Sequence, residues 1–290
     1  MADGKIVVVT GASRGLGRGI ARQFGHLGAT VYLTSRATSE AALRDAAAEV
    51  NAGGGTGIAV SVDHREPAEA EALIARVQAE QGRLDILVNN AAAVHEALDR
   101  PGPFWEKPLA LADMIEVGLQ SSYTMCYFAT PVMIARRQGL IANISFYGAS
   151  TYFHGPAYGA AKAGTDKMSF DMGVDLRPHG VTCVSLWPGF IYSDALAQFI
   201  GSAPSAMIPE RLKTHLPNFE HPEFSALVLN ALHDDPARMT LTGNALIGAE
   251  LGVRYGIVDI NGKHPPSYRG PMGQPQVFIP PSPDQPMSEV

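Results

Sequence analysis

The chain has 290 residues, with 22 Lys plus Arg against 28 Asp plus Glu, a net charge of −6, and 46% apolar but only 17% charged residues. An acidic balance without a basic run argues against a nucleic-acid grip, and so apolar a composition argues against disorder. Cys126 and Cys183 lie in apolar runs, as expected of buried thiols, and two cysteines cannot build a disulfide framework or a cysteine-rich zinc site. The start, Met-Ala-Asp-Gly, carries no secretory pattern, and no window has the length of a bilayer span, so a soluble, reduced, cytoplasmic protein without a membrane role is expected.

In chain order, residues 5–10 (KIVVVT) form an apolar run ending in a Gly-rich turn, and a helix pattern follows over 16–27 until Gly28 stops it. A second run covers 31–35, an Ala-rich helix 39–51, and a third run 57–62. Pro67 near a first turn and Gly82 beyond an end frame a helix over 67–81. A fourth run, 84–89, leads into a loop with Pro101, Pro103 and Pro108. Residues 109–138 read as one long helix kinked at Pro131. Then come a fifth run (140–145), a helix (157–177), a sixth run (181–187), an irregular stretch (190–222), a helix (223–233) and a last short strand (244–247).

Continuous apolar strands alternating with amphipathic helices predict an α/β fold: a single-domain, Rossmann-type doubly wound parallel sheet of about seven strands over residues 1–262, with helices on both faces. Eight of the 21 prolines fall in residues 263–290. That excludes a helix or central strand there and predicts an extended or disordered tail, with 276–279 docking on a neighbouring subunit.

Such sheets bind ligands beyond the carboxyl ends of their strands, so the strand ends carry the chemistry. Gly11, Gly15 and Gly17 follow the first strand and open a helix. That spacing suits a tight turn, close approach of a pyrophosphate and close helix packing, with free N–H groups facing the phosphates. Residues 11–15 also fit the G-x-S-x-G nucleophile elbow around Ser13, but only ten residues precede the turn, too few for the strands an elbow requires. The second strand ends in Ser35-Arg36 with no carboxylate. Arg36, helped by Arg14, suits a 2′-phosphate and predicts NADP(H) over NAD(H), unless Arg36 is merely solvated. Asp63 ends the third strand as a cap or an adenine acceptor. Asn89 reads as structural support, and Asn90 and Ala91 as cofactor contacts.

Ser145 ends the fifth strand, and Tyr158 and Lys162 lie one helical turn apart thirteen residues further on. An ammonium beside a phenol favours the phenolate; bringing a tyrosine from about 10 to near 7 takes about 4 kcal/mol. Tyr147, Phe153, His154 and Trp105 supply aromatic surface for a bulky apolar carbonyl substrate, although Phe153 and Trp187 also read as ordinary core. No HExxH pattern or His pair at i, i+4 occurs, and no metal is expected. The stretch after Pro188 reads as a mobile lid.

Together, residues 10–17 (TGxxxGxG), 89–91 (NNA), Tyr158 to Lys162 (YxxxK) and Pro188-Gly189 resemble the short-chain dehydrogenase/reductase family over roughly residues 4–262. The resemblance implies hydride transfer between NADPH and a carbonyl or alcohol. Tyr158 would be the acid/base, Ser145 would orient the carbonyl, and Lys162 would hold ribose. It also implies cofactor contacts from Gly11, Ser13, Arg14, Gly15, Leu16, Gly17, Ser35, Arg36, Asp63, Asn90, Ala91, Pro188, Gly189, Ile191 and Ser193, and a homodimer or homotetramer built on the 109–138 and Tyr158 helices. Residues 117–119, 185–189 and 254–262 look like one branch of the family, described as NADPH-dependent reductases of steroid and other carbonyls. Two departures stand out. Gly118 replaces an Asn of the proton relay, where its carbonyl could still hold the relay water. The strand-five motif reads Asn143-Ile144-Ser145-Phe146, so strand alignment puts Phe146 in the catalytic slot while counting back from Tyr158 selects Ser145. If Phe146 holds the slot, Tyr158 acts without a serine or with help from Tyr147. The rivals are an NAD-dependent alcohol dehydrogenase and a catalytically weak nucleotide-binding protein.

Overall fold

In the computed structural model, which describes residues 4–203, 207–208 and 210–280, the apolar runs become seven parallel strands. They are β1 (Ile6–Val9), β2 (Thr30–Ser35), β3 (Thr56–Ser61), β4 (Ile86–Asn89), β5 (Gly139–Ile144), β6 (Val181–Trp187) and β7 (Ala245–Ile247), in the order β3-β2-β1-β4-β5-β6-β7. Side chains alternate between faces, so Val7 and Val9 enter one core and Ile6 and Val8 the other. Both faces are covered, which is why the central strands read as unbroken apolar runs. Helices α1 (Gly15–His26) and α2 (Glu40–Ala52) pack on the Val7 face, and α3 (Pro67–Gln81), α4 (Ser121–Ile134) and α5 (Pro156–Leu176) on the other. The order reverses between β1 and β4, and the crevice outside that reversal is where such sheets take ligands.

Helix α3 has the expected bounds: Pro67 opens it, and Gly82, at φ 68°, closes it in the left-handed conformation. The long helix expected over 109–138 is broken. A 3-10 turn (Leu109–Ala112) and a widened turn (Ile115–Gln120) precede α4, with non-helical Val117 and Gly118 at φ 156°. The break falls at glycine because that backbone angle carries no Cβ penalty there, and Ala93 N–H, 2.8 Å away, holds the freed Val117 carbonyl. Pro131 sits inside α4 without ending it.

After β6 the chain forms α6 (Asp194–Ser202), α7 (Glu210–His215) and α8 (Pro222–Asp234), and α8 joins α1 and α2 on the Val7 face. Two elements had no counterpart in the sequence reading: α9 (Gly248–Tyr255) after β7, and a helical turn, α10 (Arg269–Met272), in the Pro-rich tail. The tail is docked as far as Phe278. Tyr268 packs on Tyr147 and Phe190, Arg269 pairs with Glu250 at 2.6 Å, and Phe278 lies 5.2 Å from Phe170 of α5. The expected intersubunit segment 276–279 therefore places Phe278 on its own chain and leaves Val277 and Ile279 exposed. Residues 281–290 of that tail lie outside the described residues. Among the described residues, no helix is long and apolar enough to cross a membrane.

Candidate active site

The first turn is built for close approach. Gly11 has φ 66°, and a Cβ there would lie 2.8 Å from Ala91 Cα; one on Gly17 would lie 2.4 Å from the Gly11 carbonyl oxygen. Nothing lies within 4 Å of a Cβ built on Gly15, so the mouth of the turn is open. Helix α1 starts there without a side-chain cap, leaving its first N–H groups for a ligand. Thr10 Oγ1 accepts from the Asn90 and Ala91 N–H groups at 2.9 Å each, and Asn90 Nδ2 donates to the Thr10 and Gly11 carbonyls at 2.9 and 3.1 Å. Asn90 thus ties β4 to the Gly turn. Asn89 has the supporting role expected of it, donating to Asn143 Oδ1 at 2.8 Å within the core.

A cavity of about 500 Å³ runs from this turn to α5. Its lining includes Gly11, Ser13, Arg14, Gly15, Leu16, Ser35, Arg36, Asp63, Asn90, Ala91, Tyr158 and Lys162. Gly17 lies behind it, packed against Gly11 and Asn90. Arg14 and Arg36 are exposed, and neither forms an ion pair among the described residues. His64 is a lining residue that sequence reasoning missed; its Nε2 meets Thr34 Oγ1 at 2.8 Å, and burial lowers its pKa to about 4. Pro188, Gly189, Ile191 and Ser193 are not part of this lining. Ile191 bridges to Glu220, and Ser193 caps α6 by accepting from Leu196 N–H at 3.3 Å.

Helix α5 carries Tyr158 and Lys162, the candidate catalytic pair. The Tyr158 hydroxyl forms no hydrogen bond among the described residues, and the side chain stands between the first cavity and a second one of about 470 Å³. Gly148 makes room for its ring, since a Cβ there would lie 2.5 Å from Tyr158 Cε1. Lys162 Nζ donates to the Ile144 carbonyl at 2.9 Å and lies 5.7 Å from the Tyr158 ring centre. Burial lowers the Lys162 ammonium to about 8, opposed by Asp166, and burial pushes the Tyr158 phenol well above its ordinary value. The expected lowering of the Tyr158 pKa by Lys162 is therefore not what the chain's own residues produce: the ammonium is bonded to strand β5, and desolvation dominates. Asp166, also missed, lies one turn beyond Lys162 on α5, and its carboxylate accepts from Ser185 Oγ at 2.5 Å and Trp187 Nε1 at 3.0 Å.

Ser145 differs from its expected role. The residue is 1% exposed, its Oγ donates to the Lys162 carbonyl at 3.1 Å, and it lines neither cavity. The pleat explains this, because Ser145 follows Asn143 onto the α5 side of the sheet while Phe146 turns the other way. Phe146 packs on Phe153 and Phe190 at ring separations of 5.2 and 5.6 Å. Tyr147 is also turned away, its hydroxyl accepting from Tyr268 N–H at 3.0 Å. The Gly118 carbonyl, the other candidate for the lost relay group, already accepts from Ser122 Oγ at 2.5 Å.

The second cavity is mostly apolar, lined by Leu98, Phe104, Trp105, Leu111, Met114, Tyr152, His154 and Tyr158 among others. Trp105 is 71% exposed at its rim. Of the four expected pocket residues, the structure brings Trp105 and His154 to Tyr158. Phe153 meets the Tyr158 ring at 5.9 Å from the edge of the aromatic core without lining this cavity, and Tyr147 is buried in that core beside Trp187.

Residues 5–201 match the family model described as short chain dehydrogenase. The chain belongs to the short chain dehydrogenase family. It is 39% identical over 267 residues to "Dehydrogenase/reductase SDR family member 1" of Homo sapiens, covering 90% of this chain and 85% of that protein, and 38% identical to the Mus musculus protein of the same name. A 3-oxoacyl-(acyl-carrier-protein) reductase FabG from Staphylococcus aureus is 32% identical over 73% of this chain and 83% of its own length. Among solved structures, an actinorhodin polyketide ketoreductase variant crystallised with NADPH has a TM-score of 0.72 and 26% identity, over 84% of this chain and 95% of that one. This family of oxidoreductases uses a nicotinamide cofactor. The open Gly15 mouth, the uncapped start of α1 and the cavity leading to Tyr158 have the shape and the donors for such a dinucleotide.

Proposed function

We propose that the chain is an NADP(H)-dependent carbonyl reductase acting on bulky, apolar ketones or aldehydes. The observation that carries this reading is that Tyr158 lines both the dinucleotide cavity and the apolar cavity. A nicotinamide dinucleotide bound in the first cavity supplies a hydride to a carbonyl carbon presented from the second. Gly11, Gly15 and the α1 N–H groups hold its pyrophosphate, Arg14 and Arg36 pair with a 2′-phosphate, and Asp63 and Ala91 flank the adenosine side. Lys162 orients the ribose. Pro188, Gly189, Ile191 and Ser193 belong to the nicotinamide side of the same reading, on the segment that leaves β6.

Tyr158 donates the proton to the carbonyl oxygen. The phenol is protonated at neutral pH, and burial raises its pKa further, so the donor form is the one present. Ser145 takes no part, so Tyr158 polarises the carbonyl alone. That feature also favours one rival, a nucleotide-binding protein of weak activity. A panel of cyclic and aryl ketones with NADPH or NADH decides between them. Turnover with NADPH that falls at least about 100-fold in Tyr158→Phe, while cofactor binding persists, supports the reductase. No turnover, or turnover indifferent to Tyr158→Phe, overturns it. The exposed Tyr123 and Tyr127 of α4 lie on the surface that a homodimer or homotetramer would use.

A further inference from the structure

The substrate cavity contains one polar arrangement that the reaction above does not use. His154 Nδ1 meets Asp99 Oδ1 at 2.7 Å, linking the loop after β4 to the loop before α5. Its ring stands edge-on to Tyr158, with centres 5.1 Å apart, and lines the apolar cavity beside it. Its other nitrogen, Nε2, has no hydrogen-bond partner among the described residues. The ring is held by unusual backbone: His154 has φ 58°, one of two non-glycine residues with positive φ among those described, and Gly155 follows at 96°. A β-carbon pays for that conformation, so the surrounding loops hold the imidazole in place.

The chemistry of the pair follows from its geometry. Asp99 is largely exposed, so the contact adds little stability, but it keeps the Nδ1 proton on the Asp99 side. Burial lowers the His154 pKa, against the pull of Asp99 and with Lys107 acting in the same direction as burial, so the ring is neutral at pH 7. Its free Nε2 is then a hydrogen-bond acceptor in a cavity whose other walls are nearly all apolar. An apolar ligand that fills the cavity strips water from this acceptor and leaves it unpaired, whereas a ligand with a hydroxyl at that point pairs it.

We infer that His154, held by Asp99, is a specificity-determining residue that accepts a hydrogen bond from a hydroxyl beside the reacting carbonyl, so that α-hydroxy ketones are preferred substrates and vicinal diols the products. This inference rests on the carbonyl-reductase reading for turnover, but not for binding. The reduction itself is unchanged: the carbonyl carbon gains a hydride, its oxygen gains the Tyr158 proton, and the neighbouring hydroxyl keeps its own proton.

The test compares acetophenone with 2-hydroxyacetophenone, using NADPH and the full chain. Because the hydroxyl also alters the intrinsic reactivity of the ketone, the informative quantity is the ratio of kcat/KM for the two ketones, compared between wild type and His154→Phe. That ratio is expected to drop at least about tenfold in His154→Phe, because the loss on the hydroxy ketone exceeds any loss on acetophenone by that factor. Asp99→Asn, on an exposed turn that does not endanger folding, is expected to move the ratio the same way by a smaller factor. Equal losses on both ketones in both variants overturn the inference. A binding arm separates the two claims. Calorimetric titration of the NADP-loaded protein with 1-phenylethane-1,2-diol and 1-phenylethanol is expected to favour the diol, and His154→Phe to abolish the preference. If that pattern holds without turnover of either ketone, the reductase reading fails and the His154 assignment stands. Equal binding of the two alcohols by wild type overturns the assignment.

Discussion

Glu220→Gln keeps a buried side chain of nearly the same shape and removes its ability to ionise. Glu220 is 1% exposed, beneath the Pro188-Gly189 step, and neither carboxyl oxygen has a hydrogen-bond partner among the described residues. A Cβ on Gly189 would lie 2.9 Å from its Oε2, which leaves no room for relaxation on that side. Burial raises its pKa from 4.5 to about 8, with the nearby Gly189 N–H, which is too poorly placed to form a hydrogen bond, opposing weakly and Asp259 pushing the same way. A carboxyl whose pKa is raised on folding is more strongly protonated in the folded chain than in the unfolded one. Its contribution to stability is therefore intact below pH 4.5 and is lost as pH rises through 8. At 1.36 kcal/mol for each tenfold change in proton affinity, the whole span from 4.5 to about 8 is worth roughly 5 kcal/mol, of which about 2 kcal/mol is lost between pH 6 and pH 8. Urea unfolding of wild type and Glu220→Gln at pH 6, 7 and 8 measures this directly. Wild type is expected to lose about 2 kcal/mol relative to the variant across that range, whatever their difference at pH 6. Parallel profiles would mean that Glu220 is already ionised in the folded chain and would refute the reasoning.

His64 gives the opposite slope. Its pKa is depressed from 6.5 to about 4 by burial, so its contribution is present above pH 6.5 and lost as pH falls through 4, roughly 3 kcal/mol in all; His64→Gln should flatten acid unfolding in that window, and an unchanged acid limb would argue against it. Arg36→Asp should weaken NADPH binding at least about tenfold in a fluorescence titration while leaving NADH binding similar or tighter, because it removes a charge-assisted pair and adds a repulsive carboxylate; equal losses for both cofactors would remove Arg36 from the 2′-phosphate. Gly148→Ala places a methyl 2.5 Å from Tyr158 Cε1. It should cut kcat by about 100-fold with little change in NADPH affinity, since a displacement of the proton donor by about 1 Å has that order of effect; retained kcat would show that the ring gives way without leaving its working position.

Local signals were legible where a residue's own backbone preference decides the outcome. Pro67 and Gly82 set the bounds of α3, and the β6 run from Val181 to Trp187 is buried at every position, as its composition required. The Gly turn and the Tyr158–Lys162 pair were each legible because strand–turn–helix order and the i, i+4 rule act over a few residues, and the strand order β1-β4-β5 then brought them into one cavity. Helix α9 was missed because eight residues with two glycines give little periodic signal, and its position depends on burying Leu251 against the α8 side of the core.

The amino-acid sequence by itself determined the parallel sheet, the Gly turn after β1 and the Tyr158–Lys162 pair. Each depends on contacts between near neighbours in the chain or on the repeat of apolar residues along it. Only the tertiary structure decided which way Ser145 faces, that Phe146 joins an aromatic core reaching to Tyr268, that Asp99 meets His154, and that Glu220 is sealed under Gly189. Those are contacts between residues far apart in the chain, or a choice of strand face that shifts by one residue with the register of the pleat. No local preference encodes them, because their free energy exists only once the sheet has assembled and excluded water.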